Sequence, residues 1–261
     1  MHHPHRLFDC LEEQLKQGGI EAALAAKEGG QWRSYSTQEV KSLVDRLSTG
    51  LLAMGYGNAD KSMEGRDKIA ILAKNRPEWM FLDLAVQQIG VILVPLYPTI
   101  HINDLEYVLN DAQVKAVFVN DEDLFHKVQN VRPRVPSIRA VYSFEHVSGA
   151  PHWKELLDLG KEEHYEHMAT LSAGIDTEDL FTIIYTSGTT GTPKGVMLSH
   201  RNILSNVIAS MPCFPPGERQ KALSFLPLNH IFERMVTYIY LFRGTSIYYA
   251  ESLETIADNL K

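Results

Sequence analysis

Hydrophobic positions along the chain alternate between helical spacing and short continuous runs. Apolar residues recur on one helical face over residues 40–54, directly after Ser36 and Glu39, which have the spacing of an N-terminal capping box. A buried strand, a helix with Pro77 in its first turn and a second buried strand follow, so residues 68–95 predict a strand–helix–strand unit. Continuous apolar strands are typical of parallel sheets that helices cover on both faces.

The alternation continues through VKAVFVN as strand, EDLFHKVQNV as helix and IRAVYSF as strand. Residues 152–179 then carry eight acids and two lysines, which predicts a helix followed by an exposed connector. We therefore expect an α/β fold of mostly parallel sheets flanked by helices. We place the division between two subdomains at this connector, with residues 1–175 before it and residues 176–261 after it.

Beyond the connector, LFTIIYTS predicts a strand that runs into a glycine-rich loop, and SHRNILSNVIASM predicts the helix after that loop. KALSFLPL, HIFERMVTYIYLF and SIYYA predict a further strand, helix and strand. The last segment, ESLETIADNLK, begins a helical pattern that nothing closes. We therefore expect the chain to be truncated.

The segment YTSGTTGTPKGVMLSH combines glycines, hydroxyl side chains and one lysine. Glycines let backbone N–H groups converge on an anion, while hydroxyls and an ammonium group add donors. We predict a polyphosphate site formed by Thr186, Ser187, Gly188, Thr189, Thr190, Gly191 and Lys194. It is not a Walker loop, because Pro193 stands where the second glycine belongs and Gly195 stands where Ser or Thr belongs.

Composition and net charge restrict the classes of partner and the location that such a protein can have. The net charge of −7, without a block of basic residues, argues against nucleic acid. Cys10 and Cys213 fit no metal-ligand spacing, which favours reduced thiols. The most apolar segment, IGVILVPLYP, is too short to span a bilayer, which takes about 20 residues. We expect a cytoplasmic protein, and peripheral contact with a membrane is compatible with this composition.

The glycine-rich segment resembles the signature of the adenylate-forming superfamily, which includes acyl-CoA synthetases, adenylation domains of peptide synthetases and luciferases. LPLNHIFER and AESLETIADNLK resemble motifs of its long-chain fatty acyl-CoA synthetases, as do YSTQEV, KNRPEW and VPLYPT. The resemblance implies the N-terminal part of the large domain of these enzymes. It also implies their reaction, in which ATP and a long-chain fatty acid form an acyl-adenylate and CoA then accepts the acyl group.

The same resemblance implies roles for individual residues. The loop and Lys194 would hold the β- and γ-phosphates of ATP together with Mg²⁺, and His230 would line the pocket between ATP and the acyl carboxylate. Spacing alone also fits His230 as a core or helix-capping residue. HIFER is not H-E-x-x-H, so we assign no metal ligand. We expect Glu233 and Arg234 to pair on the helix surface or to hold the motif in place.

The departures from the family matter as well. The downstream Tyr-Gly-x-Thr-Glu stretch, the ribose-binding Asp, the hinge and the C-terminal catalytic Lys have no counterpart here. We therefore expect a fragment with little activity alone, whose exposed apolar surface favours a homodimer. Two alternatives stay open: a fatty acyl-AMP ligase that loads a carrier protein, and a non-catalytic half-domain that binds an anion or a partner chain.

Overall fold

The computed structural model of the chain describes residues 4–186, 191–214 and 220–260. The strands in these residues are β1 (Leu24–Glu28), β2 (Gln31–Tyr35), β3 (Lys68–Leu72), β4 (Ile92–Leu96), β5 (Ala116–Val119), β6 (Ala140–Ser143), β7 (Leu180–Thr186), β8 (Lys194–Ser199), β9 (Lys221–Ser224) and β10 (Ser246–Tyr249). The helices are α1 (Asp9–Lys16), α2 (Thr37–Ala53), α3 (Pro77–Gln88), α4 (Ile102–Asp111), α5 (Glu122–Val131), α6 (Glu162–Gly174), α7 (His200–Ser210), α8 (Ile231–Arg243) and α9 (Ile256–Asn259).

The strands of the described residues form two sheets. The small sheet has the order β2-β1-β10-β9 and the large sheet the order β6-β5-β3-β4-β7-β8. Neighbouring strands are parallel except in the hairpins β1–β2 and β7–β8. The predicted α/β fold of mostly parallel sheets flanked by helices is confirmed. Both sheets combine strands from either side of residue 175, and the division of the chain there stays a prediction.

Helix α3 lies in the layer between the two sheets. Every one of its twelve residues is buried. One hydrophobic core joins this helix to Leu24 and Ile247 of the small sheet and to Ile71 and Phe118 of the large sheet. A second core lies on the opposite face of the large sheet, under α4 and α5. Within the described residues, no helix is long and apolar enough to cross a membrane.

Local sequence signals set the ends of helix α2. Ser36 Oγ accepts a hydrogen bond from the backbone N–H of Glu39 at 3.1 Å, as the predicted cap requires. The Glu39 carboxylate pairs with Arg33 instead of returning to the cap, so only half of the capping box forms. Gly55 follows the helix with φ of 76°, in the left-handed region that favours glycine.

The segment after the glycine-rich loop corrects the sequence interpretation. The helix predicted over SHRNILSNVIASM is confirmed, because α7 begins at His200, but the sequence did not predict that Lys194–Ser199 before it forms β8, antiparallel to β7. Strands β7 and β8 therefore pair as a β-hairpin, and β8 is the edge strand of the large sheet. The short apolar run Val-Met-Leu within PKGVMLS is too brief for a helix, and it was the available signal for this strand.

Candidate functional site

The hairpin β7–β8 carries the predicted phosphate loop. Its last residue pair is Thr186 with Lys194. Opposite residues of an antiparallel pair point to the same face, so the Thr186 hydroxyl and the Lys194 ammonium group stand together at the base of the loop. Both residues are exposed to solvent. A cation and a hydroxyl in this position are accessible to an anion that enters the loop.

Glycine at position 191 is required by backbone conformation. Gly191 has φ of 84°, and a Cβ atom built on it would meet nothing within 4 Å. A side chain would therefore be strained but not crowded. Ser187, Gly188, Thr189 and Thr190 lie outside the described residues, so their assignment to the site stays a prediction.

Gly195, by contrast, is required by space. It stands opposite Tyr185 in the hairpin, and a Cβ atom there would lie 2.8 Å from Ile183 Cγ2 and 3.1 Å from Tyr185 Cζ. The Tyr185 hydroxyl donates to the carboxylate of Asp111, at the end of α4. Burial and this carboxylate raise the pKa of Tyr185 well above its ordinary value. The tyrosine thus fastens the hairpin to α4.

A second segment, residues 226–230, lies over the ends of β3 and β4. Asn75, just after β3, donates from Nδ2 to the Leu226 carbonyl at 2.7 Å and accepts at Oδ1 from the Leu228 N–H at 2.9 Å. Asn229 donates to the carbonyl of Leu96, the last residue of β4. These asparagine bonds seat the segment on the carboxyl ends of two strands.

The two segments therefore meet at one edge of the large sheet. Strand β4 runs parallel to β3 and to β7, so the carboxyl ends of all three strands lie at the same edge. The phosphate loop follows Thr186 at the end of β7, and His230 ends the segment that lies over β3 and β4. In parallel α/β sheets this edge is where ligands bind.

His230 caps helix α8, as one of the two sequence interpretations allowed. Its Nδ1 accepts from the Phe232 N–H at 3.3 Å. The residue is nevertheless exposed, so the imidazole stays accessible at the edge of the sheet. The cap fixes the position of the ring at the start of the helix. Capping and a role in the site are compatible.

Arg234 decides between the two alternatives stated from the sequence, because it does not pair on the helix surface. The side chains of Arg234 and Asp83 are both fully buried and form a two-bond ion pair, with Nε and Oδ2 3.0 Å apart. Arg234 Nη1 also donates to Thr182 Oγ1 at 2.8 Å, and Tyr238 donates its hydroxyl to Asp83 Oδ2 at 2.6 Å. This network ties α8, which begins next to His230, to α3 and β7.

Glu233 is also buried rather than on the surface. Its carboxylate accepts from Ser224 Oγ at 2.6 Å, and Ser224 Oγ accepts from Asn75 Nδ2 at 3.0 Å. Burial raises the pKa of Glu233 above its ordinary value. Glu233 and Arg234 thus hold the LPLNHIFER segment in place, which is the second of the two alternatives stated from the sequence.

A match to a family model decides what kind of protein carries this arrangement. Residues 11–260 match the model described as AMP-binding enzyme. The chain belongs to the AMP-binding enzyme family. The family resemblance stated from the sequence is thereby confirmed.

In the aligned regions, about 30% of the residues are identical between this chain and two of its curated relatives. Long-chain-fatty-acid–CoA ligase 5 of Rattus norvegicus is 31% identical over 249 residues, which cover 88% of this chain and 35% of the relative. Long-chain-fatty-acid–CoA ligase 1 of Homo sapiens is 30% identical over 252 residues, covering 88% and 34%. The chain thus spans about a third of the length of these curated relatives.

A solved structure shows the same fold. The crystal structure of a long-chain-fatty-acid-CoA ligase from Archaeoglobus fulgidus superposes with a TM-score of 0.79 at 19% identity, covering 100% of this chain and 50% of that one. At this identity the likeness shows the fold alone. The sheets and helices that position the site are therefore shared with that ligase.

Sequence reasoning missed several residues of this AMP-binding enzyme that position the site. Asp83 and Gln87 stand four apart in helix α3, and the other residues of the range 79–86 are apolar. This spacing indicates a buried polar cluster, and Gln87 Nε2 donates to Asp83 Oδ1 at 3.0 Å.

His200 was also missed. It is buried, stacks on Phe181 with ring centroids 5.3 Å apart, and accepts at Nδ1 from the Leu7 N–H. Burial lowers the pKa of His200 to about 3, which makes it a neutral packing residue.

The described part of this AMP-binding enzyme offers no preformed metal cage. Across residues 4–186, 191–214 and 220–260, no group of three His, Cys, Asp or Glu side chains is arranged to hold a metal ion. Mg²⁺ is commonly bound through substrate phosphates with only one or two carboxylates, so the exposed loop base fits a magnesium-bound polyphosphate. Cys10 is buried and Cys213 exposed, and both are free thiols.

Proposed function

We propose that the chain provides the phosphate-loop part of a long-chain fatty acid–CoA ligase. The observation that supports this most is the arrangement at the carboxyl edge of the large sheet, where the loop base and His230 come together. The relatives named as long-chain-fatty-acid–CoA ligases support the substrate class. ATP, Mg²⁺, a long-chain fatty acid and CoA are the proposed ligands.

The chemistry asks for charge stabilisation and alignment. A carboxylate does not acylate a thiol, because oxide is a poor leaving group. Attack of a carboxylate oxygen on the α-phosphorus of ATP forms an acyl-adenylate and releases pyrophosphate. The thiol sulfur of CoA then attacks the acyl carbon, loses its proton and displaces AMP. The residues of this chain would stabilise the departing pyrophosphate and orient the carboxylate.

Each residue at the edge has a part in this scheme. Lys194 and the Thr186 hydroxyl, at the loop base, bind phosphate oxygens together with the backbone N–H groups of the loop. Gly191 gives the loop the backbone conformation that it needs. His230, held by its cap on α8, contacts the fatty carboxylate or the α-phosphate. Mg²⁺ supplies further positive charge on the phosphates.

ATP–pyrophosphate exchange on the full-length gene product tests this proposal. We expect a long-chain fatty acid to support exchange and acetate not to support it. No exchange with any long-chain fatty acid would refute the ligase and leave a non-catalytic anion-binding module. Product analysis with CoA and with acyl carrier protein identifies the acceptor, and acylated carrier protein alone would assign a fatty acyl-AMP ligase.

Assembly and location are also proposals. Val196, Met197, Phe225, Leu226 and Phe232 are exposed large apolar residues, which supports a homodimer or contact with a membrane. Sedimentation tests the homodimer, and a clean monomer would contradict it. Flotation with vesicles tests the contact with a membrane. A cytoplasmic location stays a prediction that fractionation can check.

A further inference from the structure

A row of three cationic residues lies at the edge of the large sheet opposite the phosphate loop. Lys68 begins β3, while Lys115 and Arg139 directly precede β5 and β6. The Lys115 N–H donates to the Lys68 carbonyl at 2.8 Å, and the Arg139 N–H donates to the Lys115 carbonyl at 2.8 Å. Adjacent strands lie about 4.8 Å apart, so these three residues, the cation row, are immediate neighbours.

The side chains of the cation row point to the same face of the sheet. Two residues further along each strand stand Ala70, Val117 and Val141, which pack in the core under α4 and α5. Side chains two residues apart in a strand share a face. The three cations therefore converge beside the end of α4. Like charges on neighbouring strands repel each other, and an anion near them offsets that repulsion.

A cavity of about 590 Å³ opens at this point. The cation row lines it together with Arg66 and Ser137, and the carboxylates of Glu64 and Asp111 also border it. Small-molecule sites are typically about 300–1,000 Å³ in volume. The cavity thus has the size of a ligand site and the charge of an anion site.

Two of the residues that line this cavity each carry a buried hydrogen-bond donor that has no partner in the described residues. These donors are Arg66 Nε and Ser137 Oγ. The other two nitrogens of Arg66 are occupied, Nη1 by the Leu180 carbonyl at 2.8 Å and Nη2 by Asp179 at 2.9 Å. A buried donor without a partner costs free energy, so both groups indicate a missing acceptor.

The positive charge at the cavity is only partly neutralised. Lys115 pairs with Asp67. Lys68 is 4% exposed, and its ammonium group donates to the Met63 carbonyl rather than to a carboxylate. Burial, followed by the nearby Lys115, holds the pKa of Lys68 below its ordinary value. An anion bound between the two lysines would offset their mutual repulsion and favour the charged form of Lys68.

We propose that this cavity binds a small molecule through a phosphate group, at a site separate from the phosphate loop. Arg66 Nε and the Ser137 hydroxyl donate to the phosphate oxygens, and the cation row supplies the balancing charge. A recessed lysine cannot reach a flat lipid surface, which favours a free phosphorylated molecule over a lipid headgroup. Glu64 and Asp111 are placed to accept hydrogen bonds from the rest of the ligand.

Titration of the isotope-labelled chain with inorganic phosphate tests the proposal, followed by NMR at the amides of Ser137 and Arg139. We expect saturable shifts in the unmodified chain and in Lys194→Ala, which alters only the loop. Lys68→Met should weaken phosphate binding at least tenfold, and Ser137→Ala several-fold. Lys154→Met removes an exposed charge elsewhere and serves as the matched control, with unchanged binding expected.

Several results would overturn the site. These are an absence of saturable shifts, equal shifts with chloride at the same ionic strength, or unchanged affinity in Lys68→Met and Ser137→Ala. If Lys68→Met does not fold, Ser137→Ala alone carries the comparison. Flotation with vesicles of phosphatidic acid and phosphatidylcholine separates the two sources of phosphate. In the contrary outcome, the chain binds the vesicles only when Ser137 is intact and shows no NMR shift with free phosphate. That result would assign the site to a lipid headgroup and overturn the proposal of a soluble ligand.

Discussion

The hairpin β7–β8 and the centre around helix α3 differ sharply in burial. Every residue of α3 is buried, while the first four residues of β8, Lys194–Met197, are all exposed. The residues proposed to bind phosphate, Thr186 and Lys194, lie on the exposed hairpin, whereas Asp83, which helps to hold that hairpin through Arg234, lies in the buried helix. A phosphate loop has to admit and release its ligand, so its precision must come from the structure beneath it.

A small number of side-chain hydrogen bonds connect the hairpin to the structure beneath it. Thr182 of β7 accepts from Arg234 and donates to the Leu93 carbonyl at 2.7 Å. Tyr185 of the same strand donates to Asp111 on the other side of the sheet. The hairpin is thus held from both faces near its base. The comparison predicts large effects on stability for changes in the centre and effects on binding for changes in the loop.

The largest effect is expected from the Arg234–Asp83 pair. Arg234→Met leaves the Asp83 carboxylate buried without its partner, and we expect it to lower the free energy of unfolding by about 3–5 kcal/mol. The double variant Asp83→Leu/Arg234→Met removes both charges and should recover a large part of that loss. Urea unfolding of the two single variants and the double variant measures the coupling. Additive losses would show that the two charges do not interact.

Acid should weaken the centre through His200. Its pKa is about 3 in the folded chain against 6.5 in the reference state, so the unfolded chain binds the proton first as pH falls. Stability is complete above about pH 6.5 and is lost as pH falls toward the folded value, by about 1.4 kcal/mol per pH unit. Between pH 7 and pH 5, the free energy of unfolding measured with urea should fall by about 2 kcal/mol less in His200→Gln than in the unmodified chain. His126→Gln, at an exposed histidine, is the control. An equally reduced pH dependence in His126→Gln would contradict the assignment.

Two glycines of the hairpin should respond differently to alanine. At Gly195 the new Cβ atom meets Ile183 and Tyr185, so Gly195→Ala should cost about 1–3 kcal/mol. At Gly191 the space is open and only the left-handed backbone is strained, so Gly191→Ala should cost about 1 kcal/mol. Thermal unfolding of both variants tests the order. A smaller loss at Gly195 would place the Tyr185 ring elsewhere.

Lys194→Ala should affect stability least and binding most. The side chain is exposed, so the free energy of unfolding should change by less than about 0.5 kcal/mol. Under the proposed function, loss of a charged hydrogen bond to phosphate should weaken pyrophosphate binding about tenfold or more. Isothermal titration with pyrophosphate measures this, with Lys154→Met as the matched control. Equal affinity in both variants would remove Lys194 from the site.

How well a feature of the site could be predicted from the sequence depends on how far apart along the chain the interacting residues lie. The N-cap of α2 at Ser36 and the start of α3 at Pro77 follow from neighbours within one helical turn, and both were predicted. The hairpin was missed because its strand β8 is short and pairs with a strand across a glycine-rich loop. The sequence left open whether Arg234 pairs on the helix surface or holds the motif in place, because its partner, Asp83, is 151 residues away along the chain.

The sequence by itself determined the alternation of strands and helices and the α/β class, and it predicted the segment that we propose to bind phosphate, because these depend on residue spacing and on the conformational freedom of glycine. Only the tertiary structure decided that β7 pairs with β8, that His230 lies at the same edge of the sheet as the end of β7, and that Arg234 is buried against Asp83. The physical reason is that hydrophobic spacing selects which face of an element is buried, whereas the partners of a buried polar group are selected by the packing of distant elements against one another.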